Sequence, residues 1–136
     1  MRRMSFALTT EQVKRHTKTV TRRVGWEHAF VGMKIQPVEK CQGLKKGESM
    51  KLIGGPIRVT RVSRERLNEI TYSECIREGF PGMSPADFIQ MFTSTHAIRE
   101  LVDQPHGEHP KWIVRRCRPD DLVTRIEFVY EPTGQW

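Results

Sequence analysis

The chain has 136 residues, enough for one compact domain and too few for two ordinary ones. With 37% apolar and 29% charged residues it supports a single modest core, and no segment approaches the ~20 apolar residues of a membrane-spanning helix. Its 23 Lys and Arg against 16 Asp and Glu leave a net charge of +7, a balance that attracts polyanions, nucleic acid first and acidic membrane second. The start Met1-Arg2-Arg3-Met4 lacks the apolar run of a signal peptide, so a cytoplasmic protein with reduced thiols is expected. Cys41, Cys75 and Cys117 are widely spaced and form no Cys-x-x-Cys pair, which argues against structural zinc.

In chain order, Thr9-Thr10-Glu11-Gln12 predicts a helix start with Thr9 as the cap and Gln12 three residues on. That helix is expected to end near His16, because Thr17 to Val24 is too β-branched to continue it. A strand is expected within Thr19–Arg23 and a second from Gly32 to Glu39, ending in a loop over Cys41-Gln42-Gly43-Leu44-Lys45-Lys46-Gly47-Glu48. Ser49–Ile53 and Ile57–Val62 predict two strands broken by Gly54-Gly55-Pro56, with Ile57, Val59 and Arg61 on one face and Arg58, Thr60 and Val62 on the other. Thr71-Tyr72-Ser73-Glu74 predicts a capped helix to about Arg77. Ser84-Pro85-Ala86-Asp87 predicts a second, with Phe88, Met91 and Phe92 as its core stripe. Leu101–Lys111 is polar and Pro-bounded, and a loop is expected there. Leu122–Tyr130 closes the domain as a strand, Val123, Arg125, Glu127 and Val129 alternating against Thr124, Ile126, Phe128 and Tyr130. Strands outnumber helices without a βαβ rhythm, which predicts a small α+β domain on an antiparallel or mixed sheet, rolled into a barrel.

The stretch His16-Thr17-Lys18-Thr19-Val20-Thr21-Arg22-Arg23 carries the functional signal. It places three cations and three hydroxyls within eight residues, with Val20 its one apolar member. Ammonium, guanidinium and hydroxyl groups together grip anions, phosphate above all.

These residues resemble the ASCH (activating signal cointegrator homology) family, whose signature Gly-x-Lys-x-x-x-x-Arg is matched by Lys18 and Arg23, with His16 standing where the family usually has Gly. Gly32-Met33-Lys34 resembles the family's turn into the next strand, and Val123–Phe128 its closing strand. The run Arg77-Glu78-Gly79-Phe80-Pro81-Gly82-Met83-Ser84-Pro85 resembles phage and prophage members. The likeness covers residues 1–136 as one domain, apart from an insertion or mobile loop at about 97–117. It implies a PUA-like β-barrel with a cleft beside the signature, in a superfamily associated with RNA.

Two functional readings follow. In the first, the protein binds RNA, another nucleic acid or a nucleotide. Lys18, Arg22 and Arg23 hold phosphate or base edges, Thr19 or Thr21 adds a hydrogen bond, and Arg58, Arg61, Arg64 and Arg66 extend the surface. Trp26 either stacks on a base, worth ~1–3 kcal/mol, or packs in the core. In the second, the resemblance to small ASCH proteins that hydrolyse N4-acetylcytidine implies an amidohydrolase with Thr21 as nucleophile, Lys18 as its activator and Glu78 as proton carrier. A Thr hydroxyl needs an adjacent base, and a Lys serves only if burial or nearby cations lower its pKa. Neither metal nor cofactor is called for, and His106, Glu108 and His109 are taken as loop residues. An interaction protein with a basic face is the third class, without a motif to name its partner.

Overall fold

The computed structural model describes residues 1–40 and 45–132. Among the described residues, seven strands and three short α-helices make an α+β fold. Strand β1 (Arg2–Ser5) leads to helix α1 (Thr10–Lys14), and β2 (Val20–Arg23) and β3 (Lys34–Val38) follow. The long β4 (Ile57–Arg66) comes next, then α2 (Tyr72–Arg77) and α3 (Pro85–Thr95). A ribbon of β5 (Ala97–Val102) and β6 (Lys111–Arg116) precedes the closing strand β7 (Leu122–Tyr130). Five strands form one sheet in the order β1-β3-β4-β7-β2, all neighbours antiparallel except the parallel β1–β3 pair.

The expected barrel is not closed: among the described residues no pairing joins the outer strands β1 and β2. The chain leaves β1 in a tight turn, with the Thr9 N–H donating to the Phe6 carbonyl at 3.0 Å. The Phe6 ring then meets Arg23 of β2, whose guanidinium carbon lies 4.8 Å from the ring centre. Side chains, not ladder hydrogen bonds, fill the seam between the two edges.

β4 departs from simple alternation. Its register against β7 shifts between Val59 and Arg61, leaving Thr60 as the extra residue of a β-bulge. Val59 faces Phe128, whereas Arg61 faces Glu127 and Val62 faces Ile126. The bulge therefore puts Val62 on the core face with Ile57 and Val59, and moves Arg61 to the opposite one, reversing the expected phase.

Other expectations need correction. Residues 97–117 are mostly a β-ribbon, with only the tip between β5 and β6 left as a turn. Its strands were hidden because Leu101, Trp112 and Val114 alternate without burying a face. Ser49–Ile53 is not a strand and makes a single bridge, Leu52 to Val38. Thr9 makes no side-chain capping bond to α1; Thr10 Oγ1 donates to the Phe6 carbonyl instead. The later caps form, with Thr71 accepting from the Glu74 N–H and Ser84 and Asp87 closing a reciprocal box. The loop over residues 41–48 falls in part, Cys41–Leu44, outside the described residues.

Two cores flank the sheet. Phe6, Val13, Ile35, Val59, Ile126 and Phe128 belong to one; Leu67, Cys75, Phe88, Phe92 and Val123 to the other, under α2 and α3. Along β7, Val123 and Ile126 point to opposite cores, as period-two geometry requires. His16 sits between α1 and β2 at φ 59°, a left-handed conformation that favours Gly. Its ring compensates by stacking on Tyr130, with centres 4.0 Å apart and planes 10° from parallel. Replacing His16 tests this balance. His16→Ala loses the stack and keeps the Cβ, so its urea midpoint should correspond to about 1 kcal/mol less stability than His16→Gly. Ala equal to or above Gly would show that residue 16 is not held left-handed.

Candidate functional site

The site rests on a layer of charges between α2 and the sheet. Glu74, Arg77 and Glu78 recur at the three- and four-residue spacing that puts them on one face of α2 and its C-terminal cap. Facing them are Arg22 from β2, Glu65 from β4, and Arg125 and Glu127 from β7. Arg22 donates from Nε to Glu65 at 2.8 Å, from Nη1 to Glu78 at 3.0 Å, and from Nη2 to Glu74 at 2.7 Å. Arg125 also donates to Glu74, and pairs with Glu127 at 2.8 Å. Arg22 and Arg125 are direct cross-strand partners, an arrangement that repels unless a counter-charge intervenes. Glu74 is that counter-charge, one oxygen accepting from both. Burial pushes its carboxyl upward, but the hydrogen bonds from Arg125 and Arg22 prevail and hold it at about 2.

Lys18 extends the layer. Its ammonium, buried, donates to the Glu78 carboxylate at 2.8 Å and to the Glu78 backbone carbonyl at 2.6 Å. The backbone is clipped in place as well: Tyr130 Oη donates to the Lys18 carbonyl at 2.6 Å, and the Thr19 N–H to the Arg77 carbonyl at 2.9 Å. Burial lowers the Lys18 pKa; Glu78 opposes that and the charges of Arg23 and Arg22 assist it. The next residue, Gly79, holds φ +100°, and a Cβ there would come within 3.0 Å of Gln12 Cγ and 3.6 Å of Lys18 Cβ. Only Gly fits a backbone turned this way against α1 and Lys18.

Above this floor lies a cavity of about 330 Å³ in the seam between β1 and β2. Phe6, Phe80, Phe88 and Phe92 form its apolar walls, and Lys18, Thr21, Arg23 and Glu78 its polar end. Lys18 precedes β2 instead of lying within it, so strand alternation does not separate it from Thr21, and both line the same space. Thr21 is buried, and its hydroxyl oxygen accepts from Arg23 Nε at 3.0 Å. The Lys18 ammonium sits 5.9 Å from the Phe80 ring centre and 6.0 Å from that of Phe6. A second cavity, about 440 Å³, is larger but lies beside His16, Tyr130 and Gly54–Pro56, away from these groups.

Of the residues singled out from sequence, Lys18, Thr21, Glu78, Arg22 and Arg23 meet at this cavity. The others lie elsewhere. Thr19 turns its hydroxyl to Arg77 Nε, at 3.4 Å. Trp26 packs partly against the first core, stacks on His28 and carries Arg2 over its ring. Arg58 pairs with Glu131 at 2.8 Å, and Arg61 is exposed on β4. Arg64 reaches Thr124 and Glu27, and Arg66 the Asp120 carbonyl. Sequence reasoning missed Phe6, Glu65, Glu74, Arg125 and His96. The spacing Glu74-x-x-Arg77-Glu78 was a signal for a charged helix face; nothing local marked the rest. Among the described residues, no three His, Cys, Asp or Glu side chains form a metal-binding group, and no helix is long and apolar enough to cross a membrane.

No protein-family model, curated protein or solved structure matches the chain.

The charge layer makes stability acid-sensitive. Glu74 has a folded pKa below its ordinary 4.5, so its contribution is complete above that value and is lost as pH falls towards about 2. Unfolding free energy should therefore fall steeply across this window. Glu74→Gln should be less stable at pH 7 and lose less on acidification. A wild-type profile flat from pH 5 to 2 would contradict the pairing.

Proposed function

We propose that the cavity binds a planar, nucleobase-sized ligand and hydrolyses an amide on it, the substrate being an acylated nucleoside such as N4-acetylcytidine. The observation that carries this reading is the convergence of Lys18, Thr21 and Glu78, distant in sequence, on one aromatic-walled cavity with the lysine and the carboxylate 2.8 Å apart. The ASCH resemblance assigns the same three residues. A space of about 330 Å³ lies at the small end of the range for small-molecule pockets. Its aromatic walls suit a base more than a phosphodiester chain. Lys18 and Arg22, each paired with Glu78, present less free charge than an open basic groove requires.

The chemistry runs through the buried pair. Burial lowers the Lys18 pKa, which favours loss of its proton to solvent and leaves a free amine that the Glu78 carboxylate holds in place at 2.8 Å. That amine takes the Thr21 proton as Oγ1 attacks the acyl carbon. Arg23, whose Nε lies 3.0 Å from Oγ1, turns its donor to the acyl oxygen as negative charge forms there. The tetrahedral intermediate collapses with cleavage of the C–N bond, and the departing nitrogen takes the proton back through Lys18. Water then hydrolyses the acyl-threonine, releasing the carboxylic acid and restoring the hydroxyl.

A second reading, RNA or nucleotide binding without hydrolysis, draws on the +7 charge and on Arg23, only partly buried at the cavity. One experiment separates the two. Purified protein is incubated with N4-acetylcytidine and release of cytidine is followed by chromatography. Thr21→Ala should lower turnover at least about 100-fold, since an activated nucleophile is lost, while its circular dichroism stays native. Turnover retained by Thr21→Ala would exclude the acyl-threonine. No turnover by the wild type would remove this substrate and favour the binding reading, which steep salt dependence of RNA affinity would then support.

A further inference from the structure

His96 follows the last residue of α3 and lines the same cavity. Its Nδ1 lies 3.0 Å from the Phe92 carbonyl oxygen and 2.9 Å from Thr95 Oγ1. The carbonyl can only accept. The Thr95 hydroxyl has the Met91 carbonyl at 2.9 Å and the Phe92 carbonyl at 3.3 Å to donate to, so towards Nδ1 it can accept. The Phe92 carbonyl therefore requires a proton on Nδ1, the Thr95 hydroxyl is compatible with it, and the neutral ring carries its lone pair on Nε2. The ring cannot turn freely, because it is stacked on Phe92 with centres 3.8 Å apart and planes 4° from parallel. Among the described residues, no hydrogen bond falls on Nε2.

Burial keeps the imidazole neutral by lowering its pKa; the Phe92 carbonyl opposes this, Arg23 adds to it and Glu78 opposes it. The rest of the polar lining complements this acceptor. The two carboxylate oxygens of Glu78 are taken by Lys18 and Arg22, and Arg23 donates. A ligand that stacks along the Phe walls thus meets donors and the Thr21 hydroxyl at one end and a fixed nitrogen lone pair at His96.

We infer that His96 is a specificity-determining residue: its Nε2 accepts a hydrogen bond from an N–H on the edge of a planar heterocycle and rejects rings that present an oxygen acceptor there. The inference rests on the reading of the cavity as a nucleobase site and adds the edge chemistry that selects the base. Cytosine, with its exocyclic amino group, satisfies Nε2. Uracil sets a carbonyl oxygen at the same position and leaves two lone pairs facing each other, a mismatch that leaves a buried polar group unpaired.

Two measurements test it. In uniformly ¹⁵N-labelled protein, long-range ¹H–¹⁵N correlation should show Nδ1 of His96 protonated and Nε2 bare at neutral pH; a proton on Nε2 overturns the inference. Calorimetric titration with cytidine and with uridine reads the selection. The wild type should prefer cytidine about tenfold or more, the value of one hydrogen bond of about 1.4 kcal/mol. His96→Phe, which keeps the stack and removes the nitrogen, should bind both nucleosides within about threefold of one another. Equal binding by the wild type, or a preference that survives in His96→Phe, overturns the role of His96 while leaving the nucleobase site standing. Binding of neither nucleoside overturns both together.

Discussion

The carboxylate of Glu78 accepts Lys18 on one oxygen and Arg22 on the other, and its backbone carbonyl accepts Lys18 again. Taking three charged side chains out of water costs several kcal/mol per ion, which is recovered only when every lone pair and proton finds a partner in good geometry. That condition is met: among the described residues no buried side-chain nitrogen or oxygen lacks a hydrogen bond. The consequences spread from this point. α2 lies on β2 and β7 because its charged face matches theirs, and the segment around Lys18 is drawn to the end of α2. The gap between the sheet's two edges is left as a cavity with a fully paired floor. Net charge, which from composition suggested an open basic surface, is locally balanced, with Lys18, Arg22, Arg77 and Arg125 facing Glu65, Glu74, Glu78 and Glu127.

Much of the framework was legible in the sequence, for reasons that are local. Leu122–Tyr130 is one unbroken run of strand-forming residues with no Gly or Pro, so both its extent and its two faces could be read directly. Thr71 and Ser84 mark helix starts because the capping bond needs only residues within one turn. What escaped was non-local. β1 has four residues, two of them arginines, and exists as a strand because β3 pairs with it. The Thr60 bulge is set by how β4 meets β7 and has no Gly or Pro to announce it. The β5–β6 ribbon hides behind exposed apolar residues and a Pro-bounded tip.

The same division holds at the site. Lys18, Arg22 and Arg23 stood out because cations and hydroxyls crowd one stretch, yet the roles of Lys18 and Arg22 depend on partners about 40 to 60 residues away. Arg22, taken for a phosphate ligand, spends its donors on three glutamates. His16 points to Tyr130 and not into the cavity. Through the Tyr130 hydroxyl bonded to the Lys18 carbonyl, it helps hold the lysine where it is. The aromatic walls come from three segments, Phe6 after β1, Phe80 after α2, and Phe88 and Phe92 on α3, so no single window of sequence could have assembled them.

A double-mutant cycle on Lys18 and Glu78 tests the central claim most directly. Unfolding free energies are measured for the wild type, Lys18→Met, Glu78→Gln and the double variant at neutral pH. If the buried pair organises the site, each single change costs about 3–5 kcal/mol, because it strands a buried partner. The double variant should then lose less than the sum by about 2 kcal/mol or more. Additive losses, or single variants as stable as the wild type, would mean that the two groups do not depend on each other, and the account of the cavity floor would fail.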